Sequence, residues 1–148
     1  NIALTKAVLP IMLSQKNGQI VTMSSLVGIF GFPQRSSYSA SKHALHGFYE
    51  TLMVEHYNDN LKVNIICPGR IKTDISINSL TKDGTQHGKM DPGQAKGISA
   101  EKCAQIIVNS MKRNKRVTVI GMEGKLMVFF KKFIPPLFYK IASNISAT

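Results

Sequence analysis

The chain has 148 residues, of which 43% are hydrophobic, so it is long enough for one domain with a buried core and is not compositionally disordered. It carries 19 Lys and Arg against 8 Asp and Glu, and the resulting net charge of +11 favours anionic partners such as lipid headgroups, nucleic acid or phosphate-bearing ligands.

The first part of the chain alternates between helical and extended patterns. Apolar residues recur at three- and four-residue intervals over residues 3–15 and again over residues 36–58, which predicts two helices. Residues 19–25 and residues 61–67 are short, largely apolar runs next to glycine or proline, so each predicts a buried strand. This order favours parallel strands joined by crossover helices.

The second part continues the alternation after a long irregular segment. Residues 70–98, called here the excursion, are rich in glycine and polar residues, which is typical of a functional lid. Within the excursion, residues 74–80 indicate a short helix. Ser99 is a favourable cap for a helix over residues 99–113, and residues 116–122 predict the last strand.

Residues 126–148 form a basic, apolar tail that follows the predicted domain of residues 1–125. Large apolar side chains are mixed with lysines, and Pro135 and Pro136 interrupt the segment. No uninterrupted run reaches the ~18 apolar residues of a spanning helix. One interpretation is an amphipathic segment that lies on a membrane surface, and the other is a cover for the domain's own core.

Tyr38 and Lys42 are four residues apart on the second predicted helix, so both side chains project from one face. A tyrosine hydroxyl has a free pKa of about 10, and a nearby ammonium group stabilises its phenolate form. The pair is therefore a candidate general acid and base. In isolation, the same spacing more often belongs to two surface residues on an amphipathic helix.

Ser25 and Pro68 extend this pair into a candidate site. Ser25 ends the first predicted strand, and Pro68 and Gly69 end the second. The carboxyl ends of parallel strands meet at one edge of a sheet, where ligands of open α/β folds bind. A serine hydroxyl at this edge can hold the oxygen of a carbonyl or an alcohol, and a glycine lets the backbone approach a flat ligand closely.

Three sequence blocks at this edge resemble those of a known family. Thr22–Gly28, Tyr38–Lys42 and Cys67–Thr73 are similar, in order and spacing, to successive motifs of the short-chain dehydrogenase/reductase family. The resemblance covers nearly the whole chain, and Lys6–Pro10 together with residues 76–91 indicates one subgroup of that family. It implies an α/β fold with a Rossmann-like, doubly wound parallel sheet. This chain would be its carboxyl-terminal part, without the first strands and the glycine-rich turn.

The resemblance also implies roles for three polar residues of the site. Ser25 would orient and polarise the reacting oxygen, and Tyr38 would give or take its proton. Lys42 would favour the ionised form of Tyr38 and bind the nicotinamide ribose. Asn1 is not assigned to the site, because the asparagine that the family uses falls just before this chain begins.

A nicotinamide cofactor is implied by the same resemblance, NADP in the first place and NAD as the alternative. It would supply the hydride. Tyr38 and Lys42 are expected to contribute to its binding. Its nicotinamide end is expected to contact four residues that follow the second strand, namely Pro68, Gly69, Ile71 and Thr73.

The expected substrate is a small molecule with a carbonyl or alcohol group, and it is lipophilic if the tail shapes the mouth of the site. By resemblance, the expected partners are a membrane surface, contacted through residues 126–148, and a second copy of the chain, contacted through the helix that carries Tyr38. The expected location is the endoplasmic reticulum or another intracellular membrane, with the cytoplasm as the alternative.

Two other functions stay open from the sequence. A truncated, non-catalytic product that binds a membrane or a partner is compatible with the missing start and the basic tail. Nucleic-acid binding is supported only by the net charge, and because no recognition motif accompanies that charge, we expect no nucleic acid. The four histidines and two cysteines lack the spacing of metal ligands, so no metal is assigned.

Overall fold

Helices and strands alternate along the part of the chain that the computed structural model describes, residues 1–145. The strands are β1 (Gly18–Met23), β2 (Leu61–Pro68), β3 (Ile71–Lys72), β4 (Ile98–Ser99) and β5 (Val117–Ile120). The helices are α1 (Ile2–Ser14), α2 (Ser36–Glu55), α3 (Pro92–Ala95), α4 (Ala100–Lys112), α5 (Met122–Phe133) and α6 (Pro135–Ser143). A single 3-10 turn over Leu26–Gly28 follows β1.

The central sheet has three parallel strands in the order β1-β2-β5. Ile20 lies opposite Val63 where β1 pairs with β2, and Cys67 lies opposite Val119 where β2 pairs with β5. Because the strands are parallel, their carboxyl ends lie at one edge of the sheet. The parallel α/β sheet expected from the sequence is therefore confirmed, and Ser25 follows the strand end at that edge.

β2 is covered on both faces because its side chains alternate between two helical layers. One face packs against α1 and α2, and the other packs against α4. The first core contains the buried residues Ile20, Leu45, Tyr49, Leu52, Val63, Ile65 and Cys67. The second core contains Ile66, Cys103 and Ile120. Helices on both faces of a parallel sheet are the arrangement of a doubly wound fold.

The two long crossover helices agree closely with the sequence patterns. α4 begins after Ser99, whose Oγ accepts the backbone N–H of Lys102 at 3.2 Å, as the cap prediction requires. α2 ends at Glu55, earlier than predicted, because residues 56–60 turn and Asn60 has a positive φ of 52°. Both helices return the chain along the sheet, as crossover connections do.

The excursion lacks the short helix predicted for residues 74–80. Residues 74–78 form turns instead, and Leu80 makes an isolated antiparallel bridge with Gln86. The helix prediction was wrong because a helix this short is stable only when it buries an apolar face. None of residues 73–97 is buried, so no such face is available.

The two ends of the excursion are fastened together at the edge of the sheet. β3 pairs with β4 in parallel, with Ile71 opposite Ile98. Gly97 lies so close to β3 that a Cβ atom there would sit 2.5 Å from the Arg70 carbonyl oxygen. The excursion is therefore a closed loop with joined ends and a middle that lies on the surface.

The tail is helical, and its two helices meet at a break between Ile134 and Pro135. Their inner sides carry Met127 and Phe138, which are buried with Phe30 in a separate core. Their outer sides are exposed. One face of the tail therefore covers the protein's own core, and the other face is exposed, so contact of that face with a membrane stays a prediction.

No helix in the described part of the chain is long and apolar enough to cross a bilayer. α5 has 12 residues and α6 has 9 residues, whereas a spanning helix needs roughly 20. Residues 146–148, the end of the predicted tail, lie outside the described residues.

Candidate active site

The Lys42 ammonium group lies at the centre of the site. Its Nζ donates a hydrogen bond to the carbonyl oxygen of Met23, the last residue of β1, at 3.0 Å. The same Nζ lies 5.7 Å from the centroid of the Tyr38 ring, one turn earlier on α2. Tyr38 is 46% exposed, so a ligand can reach it. The structure thus brings Tyr38 and Lys42 together at the carboxyl end of β1.

Ser25 follows the same strand end. Its backbone is extended, and its Oγ accepts the backbone N–H of Val27 at 3.4 Å, so its own O–H can still donate to a substrate oxygen. Its buried neighbour Ser24 donates a hydrogen bond from Oγ to the Lys42 carbonyl oxygen at 3.3 Å. This bond joins the end of β1 to the turn of α2 that carries the ammonium group.

Gly28 positions this edge, a role that sequence reasoning missed. A Cβ atom on Gly28 would overlap the Ser24 Oγ, and it would lie 3.0 Å from the Lys42 carbonyl oxygen and 3.1 Å from the His46 ring. A glycine therefore lets the turn after β1 pack directly on α2. In the sequence, Gly28 stands out because it ends the Thr22–Gly28 block. The spacing of that block does not show which residues Gly28 contacts.

The end of β2 touches the end of β1 through Leu26. The Gly69 backbone N–H donates to the Ile120 carbonyl oxygen at 2.9 Å. A Cβ atom on Gly69 would lie 3.1 Å from that oxygen and 3.1 Å from the Leu26 side chain. Leu26 directly follows Ser25 in the Thr22–Gly28 block, and Gly69 belongs to the Cys67–Thr73 block. Two of the three sequence blocks therefore meet here. The lack of a side chain on Gly69 therefore also lets the ends of β2 and β5 and the Leu26 side chain lie close together.

The other residues expected to bind the cofactor lie on the chain that leaves this edge. Pro68 is the last residue of β2 and lies opposite Ile120. Ile71 is in β3, and Thr73 is half-buried at the start of the excursion. The structure therefore distributes these residues along the chain from the strand end into the excursion.

The donors of Lys42 fit a ligand with hydroxyl groups. An ammonium group has three N–H donors, and in residues 1–145 the Met23 carbonyl accepts one of them. Two donors remain for the hydroxyl oxygens of a sugar such as ribose. Among the same described residues, no group of three His, Cys, Asp or Glu side chains is placed to hold a metal ion.

Cys67, His46 and Glu50 form a second polar group near the site. The Cys67 Sγ is 3.5 Å from the His46 Nε2, and the His46 Nδ1 is 3.7 Å from the Glu50 carboxylate. Burial raises the pKa of the Cys67 thiol to about 12, and the charge of Glu50 acts in the same direction. Burial lowers the pKa of His46, although Glu50 opposes this shift. The thiol is therefore protonated and unreactive near neutral pH.

Sequence comparisons identify related proteins over nearly the whole chain. A family model described as short chain dehydrogenase matches residues 1–84. Dehydrogenase/reductase SDR family member 7B of Mus musculus is 40% identical over 144 residues, which are 97% of this chain and 45% of that protein. Dehydrogenase/reductase SDR family protein 7-like of Anopheles gambiae is 40% identical over 139 residues, 94% of this chain and 44% of that protein. The chain thus spans less than half the length of these curated relatives.

Solved structures share the fold. A short chain dehydrogenase from Burkholderia cenocepacia, in complex with NADP, has a TM-score of 0.78 at 18% identity, over 95% of this chain and 53% of that one. A short chain dehydrogenase/reductase from Burkholderia phymatum, in complex with NAD, has a TM-score of 0.71 at 20% identity, over 90% of this chain and 53% of that one. At these identities the likeness concerns the fold alone, and it confirms the predicted fold class.

Proposed function

Because the chain belongs to the short-chain dehydrogenase family, we propose that it carries the proton-transfer site of an oxidoreductase that interconverts a carbonyl group and an alcohol. The cofactor is NADP(H), with NAD(H) as the alternative. The observation that carries this proposal is the position of Lys42, whose ammonium group contacts the Met23 carbonyl oxygen and lies close to the Tyr38 ring at the end of β1.

Each site residue has one task in the proposed reaction. Ser25 donates its O–H hydrogen to the substrate oxygen and holds that oxygen near Tyr38. Tyr38 gives its proton to the oxygen when a carbonyl is reduced, and takes the proton back when an alcohol is oxidised. Lys42 stabilises the negative charge left on the Tyr38 oxygen, because its positive charge lies near the ring.

The nicotinamide cofactor supplies the hydride when it is bound. Lys42 binds the ribose hydroxyl groups through the two N–H donors that Met23 leaves available. The nicotinamide end contacts the last residue of β2 and three residues that follow it, namely Pro68, Gly69, Ile71 and Thr73. The solved structures obtained with NADP and with NAD support a nicotinamide cofactor of either kind.

The proposed substrate is lipophilic, and the proposed location is the endoplasmic reticulum or another intracellular membrane, with the cytoplasm as the alternative. α5 begins beside the site, because a Cβ atom on Gly124 would lie 2.6 Å from the side chain of Leu26, which follows Ser25. The excursion leaves the same edge of the sheet and adds the exposed side chains of Ile75 and Leu80. Apolar side chains near a site support a substrate with an apolar part.

The proposed assembly is a homodimer that packs along α2. One side of this helix carries exposed residues at four- and three-residue intervals, so they share a face. These residues are Ala40, Ala44, Gly47, Thr51 and Val54. Small side chains on a shared face let two helices approach closely, which supports α2 as the contact between the two copies.

Tyr38→Phe in the complete protein tests the proposed chemistry. The substitution removes the proton donor and keeps the ring, so we expect carbonyl-dependent NADPH oxidation to fall by about 10²–10⁴-fold. The affinity for NADPH, measured by nucleotide fluorescence, should change little. Tyr139→Phe, on the exposed side of α6, is the matched control and should retain full turnover.

Turnover that survives in Tyr38→Phe would refute the assignment of Tyr38 as the proton donor. If the unaltered complete protein oxidises neither NADPH nor NADH with any carbonyl compound, the non-catalytic alternative is favoured instead. A panel of aldehydes and ketones with increasing alkyl length also tests the expected preference for lipophilic substrates.

A further inference from the structure

We infer that one exposed side of α5 binds the surface of an anionic lipid bilayer. Met122, Leu126, Phe129 and Phe133 follow one another at intervals of four, three and four residues, so they lie on one face of the helix. Each is between 49% and 78% exposed. We call these four residues the outer stripe. The inference sharpens the membrane location in the proposed function and rests on it, but it does not depend on the oxidoreductase chemistry.

The outer stripe cannot turn inward, because the opposite side of α5 is fixed. Met127 is buried against Phe30, together with Phe138 of α6. The Lys131 ammonium group also donates a hydrogen bond to the Ile29 carbonyl oxygen. Rotation of α5 would break these contacts and expose Phe30. The apolar side chains of the stripe are therefore held at the surface, and a contiguous exposed apolar face of this kind marks an interaction site.

The charges around the outer stripe favour an anionic bilayer as its partner. Residues 122–145, which begin with the first residue of the stripe, contain four lysines and one acidic residue, Glu123, a formal charge of +3. Lys125 and Lys132 are seven residues apart, so they lie along one border of the stripe, and the Lys132 Nζ is 5.2 Å from the centroid of the Phe133 ring. Exposed phenylalanine and leucine bordered by lysine is the composition of helices that lie in the headgroup region of anionic membranes.

A second copy of the chain is a less favourable occupant of the outer stripe. Residues 122–145 have four lysines against the single Glu123, so pairing two such faces would bring an excess of like charges together, and like charges across an interface are repulsive. A bilayer offers both an apolar layer for the side chains and negative headgroups for the lysines.

Seating α5 on a membrane would place the site close to the headgroups. α5 begins directly after β5, whose last residue Ile120 accepts the hydrogen bond from Gly69. Gly124, in the first turn of α5, contacts Leu26 beside Ser25. A substrate dissolved in the bilayer would therefore need to travel only a short distance along α5 to reach Ser25.

A tryptophan probe in the complete protein tests the inference position by position. The 148-residue chain contains no tryptophan, so the difference between a variant and the unaltered protein reports on the introduced residue. Phe129→Trp places the probe on the outer stripe, and Ile11→Trp places it on α1, where Ile11 is 58% exposed, as the matched control. On phosphatidylcholine vesicles that contain phosphatidylserine, brominated acyl chains should quench the probe at position 129 and leave the probe at position 11 unchanged.

Two double variants separate the apolar and the electrostatic contributions. Phe129→Ser with Phe133→Ser should lower the vesicle partition coefficient by about tenfold or more, because each phenyl ring loses its apolar contact. Lys125→Gln with Lys132→Gln should weaken binding to vesicles with phosphatidylserine and leave binding to pure phosphatidylcholine unchanged. All substituted side chains are exposed, so thermal unfolding should be unaffected.

Equal quenching at positions 129 and 11, or none at either, would overturn the inference. It would also be overturned if the phenylalanine double variant dissociated a dimer in the absence of vesicles, because the stripe would then be covered by a second copy. Turnover of a water-soluble aldehyde reports separately on the proposed chemistry, and the phenylalanine double variant should retain it.

Discussion

Two regions leave the same edge of the sheet and are held in different ways. The first is the site edge, the turn from Ser24 to Gly28 with the adjoining part of α2, where Ser24 and Gly28 are buried and Ser24 is hydrogen-bonded to Lys42. The second is the excursion, in which no residue from 73 to 97 is buried. The excursion is held largely by backbone hydrogen bonds of its own, such as that from the Thr81 N–H to the Thr85 carbonyl oxygen at 2.8 Å.

The difference agrees with the roles expected of the two regions, proton transfer at the site edge and a lid in the excursion. Proton transfer requires donor and acceptor atoms within hydrogen-bond distance, so the residues that carry it must be fixed by buried contacts. A segment that covers a substrate must open and close, and such segments have low local stability. The site edge therefore depends on packing, whereas the excursion can vary without loss of the fold.

The largest difference in stability is expected between truncating a core residue of β2, the strand whose end adjoins the site edge, and truncating an apolar residue of the excursion. Ile66 is fully buried between α4 and β5, so Ile66→Ala should lower the free energy of unfolding by about 2–5 kcal/mol. Leu80 is 72% exposed in the excursion, so Leu80→Ala should change it by less than about 0.5 kcal/mol. Urea denaturation of both variants measures the two values. Similar losses in the two variants would show that the excursion is packed as firmly as the core.

Smaller changes in the free energy of unfolding are expected when alanine replaces either of two glycines, Gly28 or Gly47. Gly28→Ala places a Cβ atom against the Ser24 Oγ and the Lys42 carbonyl oxygen, which should destabilise the protein by about 1–3 kcal/mol and lower kcat by displacing α2. Gly47, within α2, has open space around it in the single chain, so Gly47→Ala should stabilise the monomer by about 0.5–1 kcal/mol. Thermal unfolding and steady-state kinetics of both variants measure these changes.

The double variant Ser24→Ala with Gly28→Ala is the control for the mechanism of that effect. Removing the Ser24 hydroxyl relieves the closest of the contacts of the added Cβ atom, so the double variant should be more stable than the sum of the two single changes implies. If the stability changes of the two single variants simply add in the double variant, the stability loss in Gly28→Ala has a cause other than this contact.

The smallest expected effect is a pH dependence that originates at His46, which lies against Gly28. Burial lowers the pKa of His46 below its ordinary value of 6.5, so the unfolded chain binds a proton at a higher pH than the folded chain does. The contribution of neutral His46 to the free energy of unfolding is therefore complete above pH ~6.5. It is lost as the pH falls from there through the folded-state pKa of His46. Urea midpoints on either side of pH 6.5 should show this fall, and His46→Gln should reduce it. An unchanged slope in His46→Gln would assign the pH dependence to other groups.

The central sheet and its crossover helices could be predicted because their patterns are local. Val63 to Cys67 is an apolar run interrupted only by Asn64, which indicates a strand covered on both faces, and it is such a strand in the structure. The three- and four-residue recurrence over α2 likewise requires no knowledge of distant residues. The same spacing placed Tyr38 and Lys42 on one face.

The excursion could not be predicted in the same way. Its shape depends on the pairing of Ile71 with Ile98 and on the positive φ values of Gly84 and Gly88, 77° and 67°. Pairing between residues so far apart leaves no periodic signal in the sequence, and a glycine-rich segment is compatible with many turns. A short helical pattern over residues 74–80 was therefore misleading, because no core was available to stabilise it.

The sequence by itself determined the order of the elements, the edge at which the sheet presents its strand ends, and the three polar side chains proposed for the chemistry. Only the tertiary structure decided that the Met23 carbonyl oxygen and Ser24 hold Lys42, that Gly28 makes room for this contact, and that the tail turns one face to Phe30 and the other to solvent. The physical reason is that helical and strand periodicities depend on neighbours in the chain, whereas these contacts depend on the spatial fit of residues that are distant in sequence.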